Sequence, residues 1–599
     1  MDADPKPIDA ALLEDLRELT PEMAAKRLAE FIAAPPRVET DALAQDVGVI
    51  ELLNDRRAGD HILDHLPLTA LEHLADRCAE RLISGGPKEA ARESAWQLLD
   101  VLRRSSLLCR IAEAETTDDW SRRILTLVQG SDFTFGRLFE QRATNYGERT
   151  LFRVPADGEN RKVSWRQAAG RVDLIARSLL AIVAETGDRP LAILSHNSLE
   201  MALVDLACLS TGIVNIMVPA TATETDVAFI LEHAKVGALV VSDAQQLQKV
   251  LNVRDRLPNL GPIIALEASA ASARDVIGFE HLLARSSETT PADLARRRRV
   301  QKIDDLATVM YTSGTTGTPK GICFTQRNIV FKRFARALAL PEIGEDDRFL
   351  CYLPLFHTFG RFLELTGCVF WGATYCFAED QSIDNLTRQM RRLRITVLIS
   401  IPMKWMQLFD MVRQKVDVMS ADDTEIEAAL RRIVGPGLRW GLSAAGYLDP
   451  EIFRFFQRNG VELMSGFGMT EATGGITMTP PGKYKDDSLG SALPGIELAF
   501  AEDGELLVRG PYVMRGYLDP PDGTDSFDSD DWFHTGDLME QDDDSFIRIV
   551  DRKKEIYKNI HGETIAPQKI ENLFRDFESV SRVFLVCDHR PYNTALIYP

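Results

Sequence analysis

The spacing of apolar residues changes along this chain, and each change marks a different kind of structure. Up to about residue 128 apolar side chains recur three and four apart. Ala11-Leu-Leu-Glu-Asp-Leu-Arg-Glu-Leu19 and Ala95-Trp-Gln-Leu-Leu-Asp-Val-Leu102 show the period of amphipathic helices. Ser, Thr, Asp and Pro breaks separate about six short helices and strand signals are nearly absent, so a helical bundle or short helical array is expected. From Phe133 to about Ile303 short apolar runs alternate with amphipathic stretches: Pro190-Leu-Ala-Ile-Leu-Ser195, a helix around Met201 to Leu209, then Val236-Gly-Ala-Leu-Val-Val-Ser242. That alternation predicts a mostly parallel sheet with helices on its faces. It resumes at Ile395-Thr-Val-Leu-Ile-Ser-Ile401, whereas from Gly504 to Val550 the spacing is short and turn-rich, as in a small antiparallel sheet or distorted barrel. After Asp551 the basic stretch Arg552-Lys-Lys-Glu-Ile556 reads as a linker to another small domain with a helix and a strand. The fold expected is α/β, with a helical extension over 1–128, a large domain over 129–551, and an α+β domain begun at 552 and cut at 599.

The densest candidate chemistry follows the apolar run Leu306-Ala-Thr-Val-Met310, which reads as a buried strand. In Tyr311-Thr-Ser-Gly-Thr-Thr-Gly-Thr-Pro-Lys-Gly321 three glycines, four threonines and one serine surround a single lysine. Glycines let backbone N–H groups converge on one ligand, hydroxyls add donors, and Lys320 adds a point charge. Thr312, Ser313, Gly314, Thr315, Thr316, Gly317 and Lys320 therefore form an array suited to phosphate oxygens. It is not a P-loop, because no Gly-Lys-Ser/Thr closes it.

Length and charge narrow the options. A chain of 599 residues exceeds one core and suggests three or four domains. A net charge of −20 argues against a nucleic-acid surface. The one basic run, Arg296-Arg-Arg-Arg299, reads as a solvated link between subdomains. Eight scattered cysteines without ligand spacing read as buried thiols in a reducing compartment. The acidic start lacks a signal-peptide apolar region, and the uncharged run Leu365 to Ala378 is too short to span a bilayer. A cytoplasmic protein able to visit a membrane surface is expected, with no nucleic-acid partner and no identified partner for the helical extension.

The Gly/Thr string resembles the nucleotide-phosphate loop of the adenylate-forming, AMP-binding enzymes: acyl-CoA synthetases, aryl-CoA ligases, luciferases and peptide-synthetase adenylation domains. Further stretches resemble that family's motifs in its order, over roughly residues 130 to 599. Leu353-Pro-Leu-Phe-His-Thr-Phe-Gly-Arg-Phe362 is one. A histidine among aromatics packs in a core as readily as it gates a pocket; the resemblance implies that His357 lies near the acyl pocket and helps switch conformations. This version, with Arg361 and Glu364, is similar to long-chain fatty-acyl-CoA synthetases, as is Ile401-Pro-Met-Lys-Trp405, which places Trp405 at the acyl pocket.

In Ser443-Ala-Ala-Gly-Tyr447 small residues permit a flat ring to lie on backbone, so Ala444, Ala445 and Gly446 are candidates for an adenine wall. Gly446-Tyr447 departs from the family's usual Ala/Pro-Leu. Ser465-Gly-Phe-Gly-Met-Thr-Glu471 resembles Tyr-Gly-x-Thr-Glu, with Gly466, Phe467 and Gly468 against adenine and Phe467 able to stack. Thr470 would meet the α-phosphate, and Glu471 would offer a hard oxygen to a Mg²⁺ already held by phosphates. Thr535-Gly-Asp-Leu538 and Arg552 match the ribose contacts, since a carboxylate has two oxygens for two neighbouring hydroxyls of Asp537's ligand. Lys554 stands at the family's hinge, and Gly562 to Glu571 resembles the start of its C-terminal lid. Nothing before Pro599 matches the lid's catalytic lysine, so a fragment, or an enzyme working without that lysine, is expected.

The resemblance implies ATP- and Mg²⁺-dependent activation of a long-chain fatty acid to acyl-AMP, then transfer to CoA. Two alternatives stand beside it: a fatty-acid–AMP ligase loading a carrier-protein phosphopantetheine thiol, and a non-catalytic nucleotide-binding regulatory protein on the same fold.

Overall fold

The computed structural model describes residues 16, 19–33, 39–56, 59–84, 88–156, 159–271, 276–312, 318–418, 420–520 and 527–553, then short stretches at 557–558, 564–565, 567–571, 574, 580, 582–586 and 594–598. The alternating rhythm of the middle of the chain folds into two large sheets. Strands such as Leu191–Leu194, Asn215–Val218 and Ala238–Val241 are buried along their whole length. That is why they read as continuous apolar runs and pair in parallel under helices.

One sheet has eight strands, running from the edge strand Gly516–Tyr517 through Lys320–Thr325 and Leu306–Thr312 to Asn215–Val218 and beyond. The other has nine. Its centre is four parallel neighbours: Arg348–Cys351, Val397–Ser400, Trp440–Ser443 and Glu462–Met469. A third sheet of four antiparallel strands, Glu497–Phe500, Glu505–Arg509, Phe533–Gln541 and Ile547–Arg552, accounts for the short spacing after Gly504. Helix Leu199–Thr211, buried at every residue except Glu200, packs on strands Asn215–Val218 and Leu306–Thr312 of the eight-stranded sheet. Its Asp205 takes a two-pronged ion pair from Arg361 at 2.6 and 2.9 Å, and Arg361 also reaches Asn215 and Thr308.

Seven helices fill the described residues between Pro21 and Gly130. They share one continuous apolar core with the large sheets, and Trp120, Ile124, Leu127 and Val128 are fully buried. Polar anchors reinforce the junction. Asp100 accepts from Arg103, Arg142 and Asn145, each at 2.7 Å. Arg142 also donates to the Phe370 carbonyl, and Arg56 pairs with Glu345 at 2.6 Å. Burial alone would raise the Asp100 pKa, but Arg103, Arg142 and Arg104 outweigh it and hold the carboxyl well below the usual range.

The basic run corrects its sequence reading. Arg296 to Arg299 lie in helix Pro291–Val300, whose start is closed by reciprocal hydrogen bonds between Thr290 and Asp293. Arg298 is buried and pairs with Asp173 and Glu140, so it ties the helix down instead of being solvated. Among the described residues no helix is long and apolar enough to cross a membrane. Beyond residue 553, helix Pro567–Glu571 and the hairpin of Arg582–Val586 with Thr594–Tyr598 are described. Lys554 and Cys587 lie outside the described residues.

Candidate active site

Three of the four central strands of the nine-stranded sheet end close together, and Glu462–Met469 runs on past them. Ser400, Ser443 and Ser465 are direct neighbours in register. Crevices at the carboxyl ends of parallel strands are where open α/β sheets bind ligands, and each of these strands leads straight into a candidate motif. Arg348–Cys351 leads to His357, Val397–Ser400 to Trp405, and Trp440–Ser443 to Ala444, Ala445 and Gly446. Glu462–Met469 contains Gly466, Phe467 and Gly468 and runs into the 3₁₀ turn Thr470–Ala472.

Backbone conformation at these ends is unusual. Ala445 has φ +65° and Thr473, just after the turn, φ +55°. Non-glycine residues in the left-handed region carry strain that persists where the surroundings hold it. Ala445 and Gly446 are exposed, leaving a bare strip of backbone beside Phe467, which is half-buried. Gly468 faces Gly474 across the hairpin so closely that a Cβ would collide with the Gly474 carbonyl oxygen.

The other large sheet brings in the phosphate-type loop. Thr312 and Lys320 are paired across strands Leu306–Thr312 and Lys320–Thr325. Ser313, Gly314, Thr315, Thr316 and Gly317 lie outside the described residues. The edge strand Gly516–Tyr517 pairs with Cys323 and Ile322 and so carries Tyr517 across the gap. The Tyr517 hydroxyl donates to Glu471 Oε1 at 2.9 Å, and Lys320 Nζ sits 4.9 Å from the Tyr517 ring centroid. The Met514 amide donates to the Glu471 carbonyl, fixing the turn. Lys320, Tyr517 and Glu471 thus form one unit spanning the two sheets. Tyr517 was not singled out in the sequence, where Arg515-Gly-Tyr517 looks like loop; the glycine at φ +145° is its only local signal.

His357 is placed by backbone and by Asn197. Asn197 donates to the Leu353 carbonyl and accepts from the Leu355 amide, pinning the segment. The His357 ring edge is exposed and meets Phe359 at right angles, yet the surrounding protein lowers its pKa below the ordinary imidazole value by desolvation. Thr358 lies against Gly474, so the His357 segment abuts the strand that follows Glu471.

Asp537 and Arg552 meet across the third sheet, paired in register with Arg552 Nε 3.4 Å from Asp537 Oδ1. Ile547, on the same strand as Arg552, exchanges backbone hydrogen bonds with Leu489 and Gly490, which anchors this sheet beside the hairpin. Trp405 is placed differently from the rest. It is fully buried, donates to the Leu442 carbonyl and packs on Phe456, behind the strand that bears Ala444. Among the described residues no cluster of three or more His, Cys, Asp or Glu is arranged to hold a metal alone.

The family pattern of AMP-binding enzymes matches residues 139–518. The chain belongs to that family. Long-chain-fatty-acid–CoA ligase FadD15 of Mycobacterium bovis is 28% identical over 475 residues, covering 74% of this chain and 78% of the relative. Long-chain-fatty-acid–CoA ligase 6 of Homo sapiens is 27% identical over 473 residues, covering 71% of this chain and 67% of the relative. Among solved structures, a Mycobacterium tuberculosis fatty acyl CoA synthetase superposes with a TM-score of 0.59 at 21% identity, over 78% of this chain and 88% of that one.

Proposed function

We propose that this protein is an AMP-forming acid–CoA ligase that activates a fatty acid. The carboxylate attacks the α-phosphorus of ATP, pyrophosphate leaves, and the sulfur of CoA then takes the acyl group from the adenylate, releasing AMP. The observation that carries the reading is the Lys320–Tyr517–Glu471 unit at the carboxyl ends of two sheets. It puts a cation over the ring of one tyrosine and a carboxylate at its hydroxyl. The reaction needs little covalent chemistry from the protein, so position and charge are what such a site contributes.

In this reading Thr312 to Gly317 and Lys320 receive the outer phosphates and Thr470 the α-phosphate. Ala444, Ala445, Gly446, Gly466, Phe467 and Gly468 receive adenine, and Asp537 with Arg552 the ribose hydroxyls. Glu471 suits Mg²⁺ as a single protein ligand, because Mg²⁺ is commonly held by one or two carboxylates plus substrate phosphates. One Glu471 oxygen is already fixed by Tyr517. When bound, the metal would neutralise phosphate charge. His357, favoured neutral by its surroundings, closes the acyl side without adding a charge next to the attacking carboxylate. Lys554 serves as the pivot of the following domain.

The test is pyrophosphate release by the 599-residue chain with a fatty-acid series, followed by thioester detection with CoA. Acid-dependent release, lost on Glu471→Gln, is the expected result. Release that proceeds equally without acid, or faster with amino acids than with fatty acids, would overturn the reading.

A further inference from the structure

Helix Gln326–Ala339 buries three basic side chains that nothing above uses. Lys332, Arg333 and Arg336 are 0%, 1% and 4% exposed. Each has one acceptor, and none is a carboxylate. Lys332 Nζ donates to the Gly475 carbonyl and sits 3.7 Å from the Tyr512 ring centroid. Arg333 donates to the Phe362 carbonyl, and Arg336 Nη1 lies 3.0 Å from Met478 Sδ. Arg333 Nε and Nη2 and Arg336 Nε are buried with no hydrogen-bond partner among the described residues. Among the described residues no acid forms an ion pair with any of the three. Glu364, on the neighbouring turn Phe359–Leu365, is not their counterion. Among the described residues both its oxygens are unpartnered, and burial pushes its pKa well above the ordinary carboxylate value.

Buried charges are normally paired, because leaving one unpaired costs several kcal/mol. Here three lie at i, i+1 and i+4 on one helix. Burial drives Arg336 down to about 10, burial and the nearby Arg336 charge drive Arg333 down to about 9, and burial with both arginines drives Lys332 well below its ordinary pKa. The fold gains no stability from such a cluster, so a ligand is the natural counter-charge.

Its position says which ligand. The strand Gly474–Met478 begins three residues after Glu471, and a Cβ on Gly475 would collide with the Arg336 guanidinium. Thr358, beside His357, stands over Gly474 on the same strand, where an added Cβ would come within 3.8 Å of it. Arg336 also borders a narrow, apolar cavity of about 20 Å³, room for about one water, walled in part by Leu340, Phe349, Leu363 and Trp371. The cations therefore stand behind the wall between His357 and Glu471, on the acid's side, next to apolar space that opens only if those side chains move.

We propose that Lys332, Arg333 and Arg336 receive a second carboxylate on the acid substrate, which makes the preferred acid an α,ω-dicarboxylic one. Its first carboxylate goes to the α-phosphorus and its chain enters the apolar space beside Arg336 once the side chains that wall it move apart. This rests on the ligase reading above. A carboxylate that gains charged hydrogen bonds in a dry site is worth about ten- to hundredfold in affinity.

Calorimetry on the 599-residue chain, with dicarboxylic and monocarboxylic acids matched in carbon number from short to long, reads the preference directly. Pyrophosphate release with the same acids reads kcat/KM. The best diacid should bind at least tenfold tighter than its monoacid and raise the melting temperature more. In Lys332→Met and Arg336→Met that preference should collapse toward one, while Arg336→Lys keeps part of it. Lys332→Met should also melt higher than wild type, since an unpaired buried cation is gone. Monoacids binding as tightly as diacids at every length would overturn the proposal, as would a preference that survives both methionine variants. Pyrophosphate losing affinity in those variants, with diacid binding intact, would assign the cluster to the nucleotide and overturn it too. If no acid releases pyrophosphate, the ligase reading fails, and the wild-type calorimetry and melting data still decide the anion site.

Discussion

Two single side chains carry most of the nucleotide argument. Asp537 is 7% exposed and set opposite Arg552, so its carboxylate is already oriented before any ligand arrives. Asp537→Ala should weaken AMP binding by about 1–3 kcal/mol, the cost of leaving ribose hydroxyls unpaired. Calorimetry that finds no change would take Asp537 out of the ribose role. Tyr517 holds Glu471 by its hydroxyl and Lys320 by its ring. Tyr517→Phe keeps the ring and removes the hydroxyl, so only the link to Glu471 is lost. A hydrogen bond to a charged group contributes about 1.5–3 kcal/mol, which corresponds to a fall of roughly tenfold or more in kcat/KM for ATP. The melting temperature should barely move, because the hydroxyl sits at a half-buried site. Wild-type kinetics in Tyr517→Phe would show that Glu471 needs no such support.

At the scale of elements, the site is made where regular structure stops. The turn after strand Trp440–Ser443 holds Ala445 in the left-handed region, where a Cβ is disfavoured by about 1–2 kcal/mol. Ala445 is exposed and buries no methyl. Ala445→Gly should therefore stabilise the protein by about 1 kcal/mol, read as a higher denaturant midpoint at unchanged slope. A lower midpoint would mean that the turn is held by something other than backbone preference. Gly468 is the opposite case, since the hairpin leaves no room for a Cβ. Gly468→Ala must push strand Gly474–Met478 away, and with it Gly474, which lies beneath Thr358. The turns in question were legible: small residues after apolar runs mark them. Which of those turns would face one another was not, since that depends on strand order. The nine-stranded sheet runs in space through strands begun at 491, 474, 462, 440, 397, 348, 374, 150 and 159, so its order follows the chain only in part.

For the whole molecule, the helices between Pro21 and Gly130 are the part whose role differs most from a detachable appendage. Their apolar faces belong to the same core as the sheets. A chain begun at residue 131 should be insoluble or melt far below the full chain, because it bares the surfaces that Trp120, Ile124, Leu127 and Val128 cover. A soluble, cooperatively melting product would show the extension to be independent. Asp100 ties the same junction electrostatically. Its carboxyl titrates below its unfolded value of about 3.9. Its stabilisation is therefore full above that pH and is lost as the pH falls below it. Asp100→Asn should cost about 3–5 kcal/mol at neutral pH by stranding Arg103 and Arg142. It should also flatten the loss of stability below about pH 4, which denaturation at a series of pH values would reveal.

The sequence by itself determined what is encoded within some ten consecutive residues. The strand at Leu306, the antiparallel stretch after Gly504 and the small-residue turns at Ala444 and Gly466 all follow from local spacing and side-chain size. The match to the family covers residues 139–518, which include the strand and both turns. What tertiary structure alone decided lies between residues far apart in the chain. Tyr517 reaches Glu471 across 46 residues, and Arg361 reaches Asp205 across 156. A polar face on a helix ordinarily reads as its solvent face. Lys332, Arg333 and Arg336 look like such a face, and Arg298 like part of a solvated link, until packing shows them buried. Burial is a property of what covers a residue, and the covering segments come from elsewhere in the chain.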